Sequence, residues 1–214
     1  MMKTIYEKFD KTIIQKLPRV LFDGRIYTIT TSDEADRAVS YLMQKKTLGF
    51  DTETRPSFRR GVIHQVALLQ VADENTCFLF RLNRIGLTDS IVRLLEDRTI
   101  TKIGLSLKDD IRMLQQRREF STGTFIDLQQ EVKEIGIADC SLQKLYANLL
   151  GGMICKRQQL SNWEDDILTE AQKLYAATDA WACVKLHKEV ERLKATGNYL
   201  LIKDKGNTKE DENK

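Results

Sequence analysis

Three short stretches of the chain place carboxylates where they could bind a divalent cation. The first is residues 48–53, LGFDTE, an apolar run that ends in two acids one residue apart. Because successive side chains of a β-strand point to opposite faces, Asp51 and Glu53 share one face and Thr52 points away. Two ionised carboxylates that close repel each other unless a cation lies between them, and such oxygen ligands suit Mg²⁺ or Mn²⁺. The alternative is a polar strand end with two solvated acids.

The second stretch is residues 102–114, KIGLSLKDDIRML. Ser106 with Asp109 three residues later resembles a capping box, which would start a helix and place Asp110 in its first turn. Acids are common in first turns because the helix dipole favours a negative charge there. Asp109 would meet that purely structural need as well as Asp110.

The third stretch predicts a long helix with a tyrosine and an aspartate on one side. Thr169 and Gln172 match a capping box, and apolar residues then recur at helical spacing. Tyr175 and Asp179 are four residues apart, so they project together from the helix. Small side chains would let this helix lie close to a sheet and bring Asp179 towards a shared cation; they are Ala176, Ala177 and Ala180.

Hydrophobic patterning predicts the elements that must bring these stretches together. Strands are predicted at residues 25–30, 48–53, 62–71, 76–81 and 99–104, and a short extended piece at 123–127. Helices are predicted at residues 32–44, 88–96, 107–116 and 169–195. This order predicts an α/β fold with a mixed central sheet, in which the strand of Asp51 lies centrally. Active sites in such sheets tend to lie at strand ends, where Asp51 and Glu53 fall.

Composition limits the class of protein. The chain has 214 residues, of which 42% are hydrophobic and 30% charged, which is typical of one globular domain. No apolar run approaches the ~20 residues that cross a bilayer, so we expect no membrane association and a cytoplasmic location. Four widely spaced cysteines and two histidines favour neither zinc nor disulfides. A net charge of +3 does not by itself indicate a nucleic-acid-binding protein.

The ends of the chain differ from its body. Residues 1–24 are predicted as a lead-in with a short amphipathic helix that stops at Pro18, its apolar positions being Ile5, Phe9, Ile13, Ile14 and Leu17. Residues 25–202 are predicted as the functional domain. Residues 203–214 contain four lysines, four acids and no apolar residue, so we expect a disordered charged tail.

Taken together, the three stretches resemble the exonuclease motifs of the DEDD superfamily of 3′–5′ exonucleases. The tyrosine before the last aspartate resembles the variant called DEDDy, and the ribonuclease D and Werner-helicase-exonuclease branch is the most similar. GFDTE at 49–53 is followed by PSF at 56–58 and VALLQ at 66–70, as in the family's first motif and its next strand. SNWE at 161–164 and QKLYAATDA at 172–180 resemble the third motif. The resemblance covers roughly residues 26–193.

The resemblance implies a ribonuclease H-like fold, with a mixed five-stranded central sheet flanked by helices. It implies two divalent metal ions, Mg or Mn, with Asp51, Glu53 and Asp179 holding one ion and Asp51 with Asp110 serving the second. Asp110 fits better than Asp109, because an apolar residue then lies four positions beyond the motif aspartate. Tyr175 would position the attacking water. The implied activity is hydrolysis of DNA or RNA, single-stranded or at 3′ ends, to 5′-mononucleotides.

Two departures from the family are visible. Many relatives have an arginine shortly before the SNW stretch, and this chain has Gln159 there, although Lys156 and Arg157 are close. The resemblance to ribonuclease D proper would also imply a second part, in which helical nucleic-acid-binding repeats follow the nuclease domain. Residues after Leu193 could not form such repeats, so we expect a stand-alone nuclease domain.

Substrate contacts are the least constrained part of the prediction. Basic side chains near the first and third motifs could reach phosphates, and the candidates are Arg55, Arg59, Arg60, Lys156 and Arg157. Alternatively, 34 lysines and arginines in 214 residues would place some near any site. Phe58 and Trp163 could stack on bases, although packing is the simpler role for Trp163. A rival function is a non-catalytic nucleic-acid-binding module that keeps the fold for docking to a partner. Such a docking module would be expected to have lost a metal ligand, whereas this chain keeps every candidate.

Overall fold

The computed structural model describes residues 2–59 and 61–204. Within them the strands are β1 (Lys3–Tyr6), β2 (Arg25–Ile29), β3 (Thr47–Thr54), β4 (Val66–Ala72), β5 (Thr76–Phe80), β6 (Thr101–Gly104), β7 (Phe125–Asp127) and β8 (Tyr199–Ile202). The helices are α1 (Lys11–Ile14), α2 (Ser32–Leu42), α3 (Leu82–Ile85), α4 (Asp89–Glu96), α5 (Leu107–Arg117), α6 (Leu128–Glu131), α7 (Leu142–Leu150) and α8 (Glu170–Thr196), and a 3₁₀ turn covers Val132–Ile135. No helix in the described part of the chain combines the length and apolar character needed to cross a membrane.

The main sheet of the described residues has six strands in the order β2-β5-β4-β3-β6-β7. β4 runs antiparallel to both β3 and β5, and the other neighbours pair in parallel. The predicted α/β class, the mixed sheet and the central position of the Asp51 strand are confirmed. The count of five strands is one too low, because β7 pairs with β6 through only three residues. Three residues are too few to show a strand periodicity in sequence.

Helix α8 lies directly against the centre of the sheet. Its alanines present little bulk, and Gly49 on β3 has no Cβ, which at that position would overlap the carbonyl oxygen of Ala180. This close approach needs a glycine because any larger side chain would push the helix away. One hydrophobic core forms between α8, α7 and this face of the sheet. A second core lies on the opposite face, under α2, α4 and α5.

The N-terminal lead-in differs from its prediction. Lys3–Tyr6 form strand β1, which pairs in parallel with β8, and among the described residues of the lead-in only Lys11–Ile14 is helical. The predicted helix through Ile5 is therefore wrong. Ile5 is fully buried in the main core, so its apolar character reflects tertiary packing and not a helical face. The partner strand lies almost 200 residues away in the chain, and local periodicity cannot reveal such a pairing.

The predicted disordered tail, residues 203–214, includes two residues that the structure describes. The backbone N–H of Asp204 donates to Glu7 Oε2 at 3.0 Å, and Lys8 Nζ lies 3.2 Å from Asp204 Oδ2. Lys203 and Asp204 thus continue the structured chain beyond β8. The rest of the predicted tail, residues 205–214, lies outside the described residues. The domain boundary between residues 24 and 25 stays a prediction.

Candidate active site

Strand β3 and helix α8 bring three carboxylates together. Asp51, Glu53 and Asp179 each offer an oxygen, and these oxygens lie within 4.8 Å of one another. Asp51 and Glu53 share a face of β3 because they are two residues apart, as the sequence predicts. That face is the one covered by α8, which supplies Asp179. In the described residues no other group of three or more potential ligands converges in this way.

A capping box fixes the start of α8 and hence the position of Tyr175. Thr169 Oγ1 accepts from the N–H of Gln172 at 3.2 Å, and Gln172 Oε1 accepts from the N–H of Thr169 at 2.9 Å. The predicted cap is confirmed. One turn later the Tyr175 ring packs against Trp163, with 6.0 Å between ring centroids. Trp163 is fully buried, which supports its packing role, whereas Phe58 is 84% exposed.

The N-terminus of α5 is capped by a different residue from the one predicted. Ser106 adopts a left-handed conformation with φ of 63°, and its side chain makes no capping hydrogen bond. Instead, the carboxylate of Asp127, at the end of β7, accepts from the N–H groups of Ser106 and Leu107 at 2.9 and 3.0 Å. The expected Ser106–Asp109 box is therefore wrong, because a residue from another strand satisfies the helix end.

Asp109 and Asp110 have different surroundings, although they are neighbours. Asp109 is exposed and pairs with Arg112 at 3.0 Å on its own helix. Asp110 is partly buried, and its Oδ1 accepts a hydrogen bond from the hydroxyl of Thr52 on β3. Asp110 lies outside the group of three converging carboxylates, yet its charge raises the pKa of both Asp51 and Glu53. It thus belongs to the surroundings of the cluster, and Asp109 does not.

The carboxylates of the cluster hold their protons unusually tightly. Burial raises the pKa of Asp51 well above its ordinary value, and the charges of Asp179 and Asp110 raise it further. Burial and the charge of Asp51 raise the pKa of Glu53 to about 10. Burial also raises the pKa of Asp179 to about 7, against the opposing effects of Tyr175 and Lys156. Several acids without enough cationic partners are typical of a site that binds positive charge.

The donor set fits a hard divalent cation. Asp179 is 7% exposed, and its Oδ1 has no hydrogen-bond partner among the described residues. Gln70, directly opposite Asp51 on β4, is fully buried, and neither its amide nitrogen nor its amide oxygen has a partner there. Buried polar atoms rarely stay unpaired in proteins. Carboxylate oxygens are the ligands that Mg²⁺ and Mn²⁺ prefer, so Asp51, Glu53 and Asp179 could hold such an ion.

A cavity of about 250 Å³ opens onto the cluster. Lys156 and Gln159 line it beside Asp51, Glu53, Tyr175 and Asp179. Other residues that line the cavity were not predicted, and they include Leu105, Ser141, Leu142, Gln143 and Ile154. Ser141 caps α7, and Gln143 Nε2 donates to the carbonyl of Ile154 at 2.7 Å. The residues at the start of α7 reach the cavity because this helix packs against α8, which no local pattern reveals.

The predicted substrate-binding residues occupy separate places. Lys156 lines the cavity of the carboxylates, while Arg157 lines a neighbouring cavity. Arg59 is exposed in the loop after β3, where its backbone bonds to the Ser57 hydroxyl, and Arg60 lies outside the described residues. Arg55 is paired with Glu164 at 3.2 Å, so part of its charge is neutralised within the protein.

With this geometry in view, comparison with known proteins identifies the family. The sequence profile described as 3′–5′ exonuclease matches residues 26–193. The chain belongs to the 3′–5′ exonuclease family. The family is one of enzymes, and the resemblance to the DEDD superfamily is confirmed.

Individual relatives of this exonuclease-family chain are moderately similar. A 3′–5′ exonuclease of Arabidopsis thaliana is 30% identical over 218 residues, which cover 89% of this chain and 72% of that protein. The bifunctional 3′–5′ exonuclease/ATP-dependent helicase WRN of Mus musculus is 29% identical over 209 residues, covering 90% of this chain and 15% of its own length. The structure of Escherichia coli RNase D, an exoribonuclease involved in structured RNA processing, has a TM-score of 0.70 at 23% identity. It covers 80% of this chain and 47% of that one, and it supports the fold.

Proposed function

We propose that this chain hydrolyses DNA or RNA from the 3′ end and releases 5′-mononucleotides. The observation that carries the proposal is the convergence of Asp51, Glu53 and Asp179 beside Tyr175 at the end of a central strand. Their raised pKa values indicate an excess of negative charge that a cation would relieve. A family of 3′–5′ exonucleases supplies the direction of cleavage.

Two divalent ions, Mg²⁺ or Mn²⁺, complete the proposed site. Asp51, Glu53 and Asp179 would hold one, and Asp51 with Asp110 would hold the other. When bound, such a pair of ions activates a water for attack on phosphorus and stabilises the departing oxygen. The carboxylates of the chain would determine where the cations bind, and this positioning is what the protein itself contributes to the chemistry.

Tyr175 is proposed to orient the attacking water. Burial and the nearby carboxylates raise the pKa of its hydroxyl far above neutrality, so the hydroxyl keeps its proton under working conditions. A protonated hydroxyl can donate one hydrogen bond and accept another, which fixes the direction of a water's lone pair. Lys156 lines the same cavity and is exposed, so its ammonium group can approach the phosphate of the scissile bond.

The rival docking module has less support than the enzyme. A chain selected only for docking has no need to keep unpartnered buried acids, because each destabilises the fold. Here the four carboxylates and the tyrosine all occur at the end of the sheet where the cavity opens. An exonuclease acting on free 3′ ends is therefore the function we adopt.

The test is degradation of 5′-labelled single-stranded DNA and RNA of matched sequence in Mn²⁺, Mg²⁺ or EDTA. The proposal predicts a ladder that shortens from the 3′ end with a divalent metal, no shortening with EDTA, and 5′-mononucleotides as products. Asp51→Asn should abolish the ladder because Asp51 would contact both ions. The nucleic acid that is shortened at the higher rate is the preferred substrate.

A matched control comes from the neighbouring pair of aspartates. Asp109→Asn removes an exposed carboxylate that pairs only with Arg112, so it should leave the ladder intact. A ladder that survives in Asp51→Asn would contradict the proposal, because the activity would then come from elsewhere. Binding of both oligonucleotides without any cleavage would favour the docking module.

A further inference from the structure

A second cavity adjoins the catalytic one across Tyr175. It measures about 420 Å³, and Tyr175 lines both cavities. Its walls include Arg19 from the lead-in, Arg157, and the apolar side chains of Leu21 and Leu174. An apolar wall beside two arginines matches a nucleotide, which presents a flat base next to a charged phosphate.

Both arginines that line the second cavity are available to bind an anion. Arg19 and Arg157 are exposed, and within residues 2–59 and 61–204 neither forms an ion pair. The acid that lines this cavity, Glu170, is already paired with Lys173 at 2.7 Å. The guanidinium groups are therefore free to bind an anion, and phosphate is the anion whose geometry an arginine matches in a bidentate way.

The lead-in is fixed against the domain at this point. The N–H of Val20 donates to the carbonyl of Met153 at 3.0 Å, and the N–H of Met153 donates to that of Pro18 at 2.9 Å. The N–H of Phe22 donates to the hydroxyl of Thr178 on α8 at 3.0 Å. Arg19 thus lies between two anchored points, and the backbone that carries it needs little further ordering to bind a ligand.

Lys156 and Arg157 show how a nucleic-acid strand could pass between the cavities. The two residues are consecutive, yet Lys156 lines the cavity of the carboxylates and Arg157 lines the second one. A strand cut at its 3′ end has only a terminal sugar and base beyond the scissile phosphate, ending in a hydroxyl. All further phosphates lie on the 5′ side. Additional arginines next to the catalytic cavity therefore suit the upstream part of the strand.

We propose that the second cavity binds the unpaired nucleotides just upstream of the scissile phosphate, with Arg19 and Arg157 contacting their phosphates. The proposal rests on the proposed exonuclease function and adds a route for the substrate. It also gives the lead-in a role, since Arg19 belongs to residues 1–24. Apolar contacts with Leu21 and Leu174 would favour single strands, whose bases are free to pack against protein side chains.

The experiment measures binding separately from cleavage. Fluorescence anisotropy with a 5′-labelled single strand of about 12 nucleotides, in EDTA, gives Kd over a range of salt concentrations for DNA and for RNA. Arg19→Ala should weaken binding roughly three- to tenfold at low salt. The slope of log Kd against log salt should fall by about 0.7, the value expected when the protein neutralises one phosphate fewer on a single strand. Arg19→Lys should keep most of the salt slope because it keeps the charge.

Arg98→Ala is the matched control. Arg98 is exposed and precedes β6, at the other end of the sheet from Asp51. The substitution should therefore leave both the Kd and the salt slope unchanged. If Arg19→Ala binds as the wild type does, or if the wild type fails to bind the strand, the inference is overturned. If Arg19→Ala loses affinity as expected but no metal supports cleavage, the second cavity is a strand-binding site and the proposed function fails. If the wild type cleaves the strand but Arg19→Ala leaves the salt slope unchanged, the exonuclease function stands and the proposed upstream site is contradicted.

Discussion

Asp73 and Asp179 expose similar fractions of their surface, 8% and 7%, but their pKa values move in opposite directions. Burial alone would raise the pKa of Asp73, yet hydrogen bonds from Lys45, Tyr41 and the backbone of the turn outweigh it and lower the pKa. Lys45 Nζ and the Tyr41 hydroxyl both lie 2.8 Å from Asp73 Oδ2. Asp179 has a higher pKa than usual and an oxygen without any partner in the described residues.

The two carboxylates mark opposite ends of the strands around β3. Asp73 follows β4 at the end where β3 begins, and the protein supplies all the groups that stabilise its charge. At the other end of β3, Asp51, Glu53 and Asp179 face one another. A structural carboxylate is satisfied within the chain, whereas a functional cluster is left incomplete so that a ligand can complete it.

The largest effect is expected on catalysis at the incomplete end. Asp110→Asn should lower the rate of 3′–5′ cleavage on the order of 100-fold or more, because it removes a proposed ligand of the second ion. Asp109→Asn, one residue earlier, should change the rate little, since its carboxylate pairs with Arg112 in solvent. Rates of shortening of the same labelled strand, measured at saturating Mn²⁺, compare the two. Equal rates in both variants would contradict the assignment of Asp110.

A smaller loss is expected at Tyr175. Tyr175→Phe keeps the ring that packs against Trp163 but removes the hydroxyl that would orient the water. We expect kcat to fall about 10- to 100-fold while KM changes little, because misplacement of a reacting group affects the chemical step. Steady-state kinetics on the single-stranded substrate separates the two constants. A change confined to KM would assign Tyr175 to substrate binding instead.

Removing one acid from each end should change stability in opposite directions. Asp73→Asn breaks the pair with Lys45 and should cost about 2 kcal/mol, or roughly 4–8 °C in Tm. Asp51→Asn removes repulsion and should stabilise the metal-free protein by about 1 kcal/mol. Thermal unfolding in EDTA at pH 7.5 measures both. A lower Tm in both variants would mean that the cluster is not under electrostatic strain.

The pH dependence of stability has a definite sign. A carboxyl whose pKa is higher in the folded than in the unfolded chain binds its proton more tightly when folded. Such a group stabilises the fold at low pH, and this contribution is lost as the pH rises from about 4, the unfolded value, through about 7, the folded value of Asp179. The Tm of the metal-free wild type should therefore fall between pH 4 and 7 relative to that of Asp179→Asn, which lacks this carboxyl. A difference in Tm that stays constant over this range would contradict the raised pKa values.

Much of the site was predictable because its signals are local. The alternation of β3 places Asp51 and Glu53 on one face, and the cap formed by Thr169 and Gln172 fixes the helix that carries Tyr175. The start of α5 shows the limit of this reasoning. Its cap comes from Asp127, twenty or more residues away, so the serine that resembled a cap does not act as one.

Other features depend on which elements meet in space. β1 pairs with β8 across the whole chain, so residues predicted as a helix form a strand instead. Ser141 and Gln143 reach the cavity of the carboxylates only because α7 packs against α8. Lys156 and Arg157 looked equivalent in sequence, yet they line different cavities. No local pattern in the chain distinguishes them.

Counting bound Mn²⁺ tests most directly whether the incomplete end is a two-ion site. The ions can be titrated by electron paramagnetic resonance in the presence of a 5′-mononucleotide, the proposed product. A two-ion site should bind two ions in the wild type, one in Asp110→Asn, and none in Asp51→Asn. Asp73→Asn should keep two, because its carboxylate lies at the other end of the sheet. A single ion in the wild type, or unchanged binding in Asp51→Asn, would contradict the two-ion site.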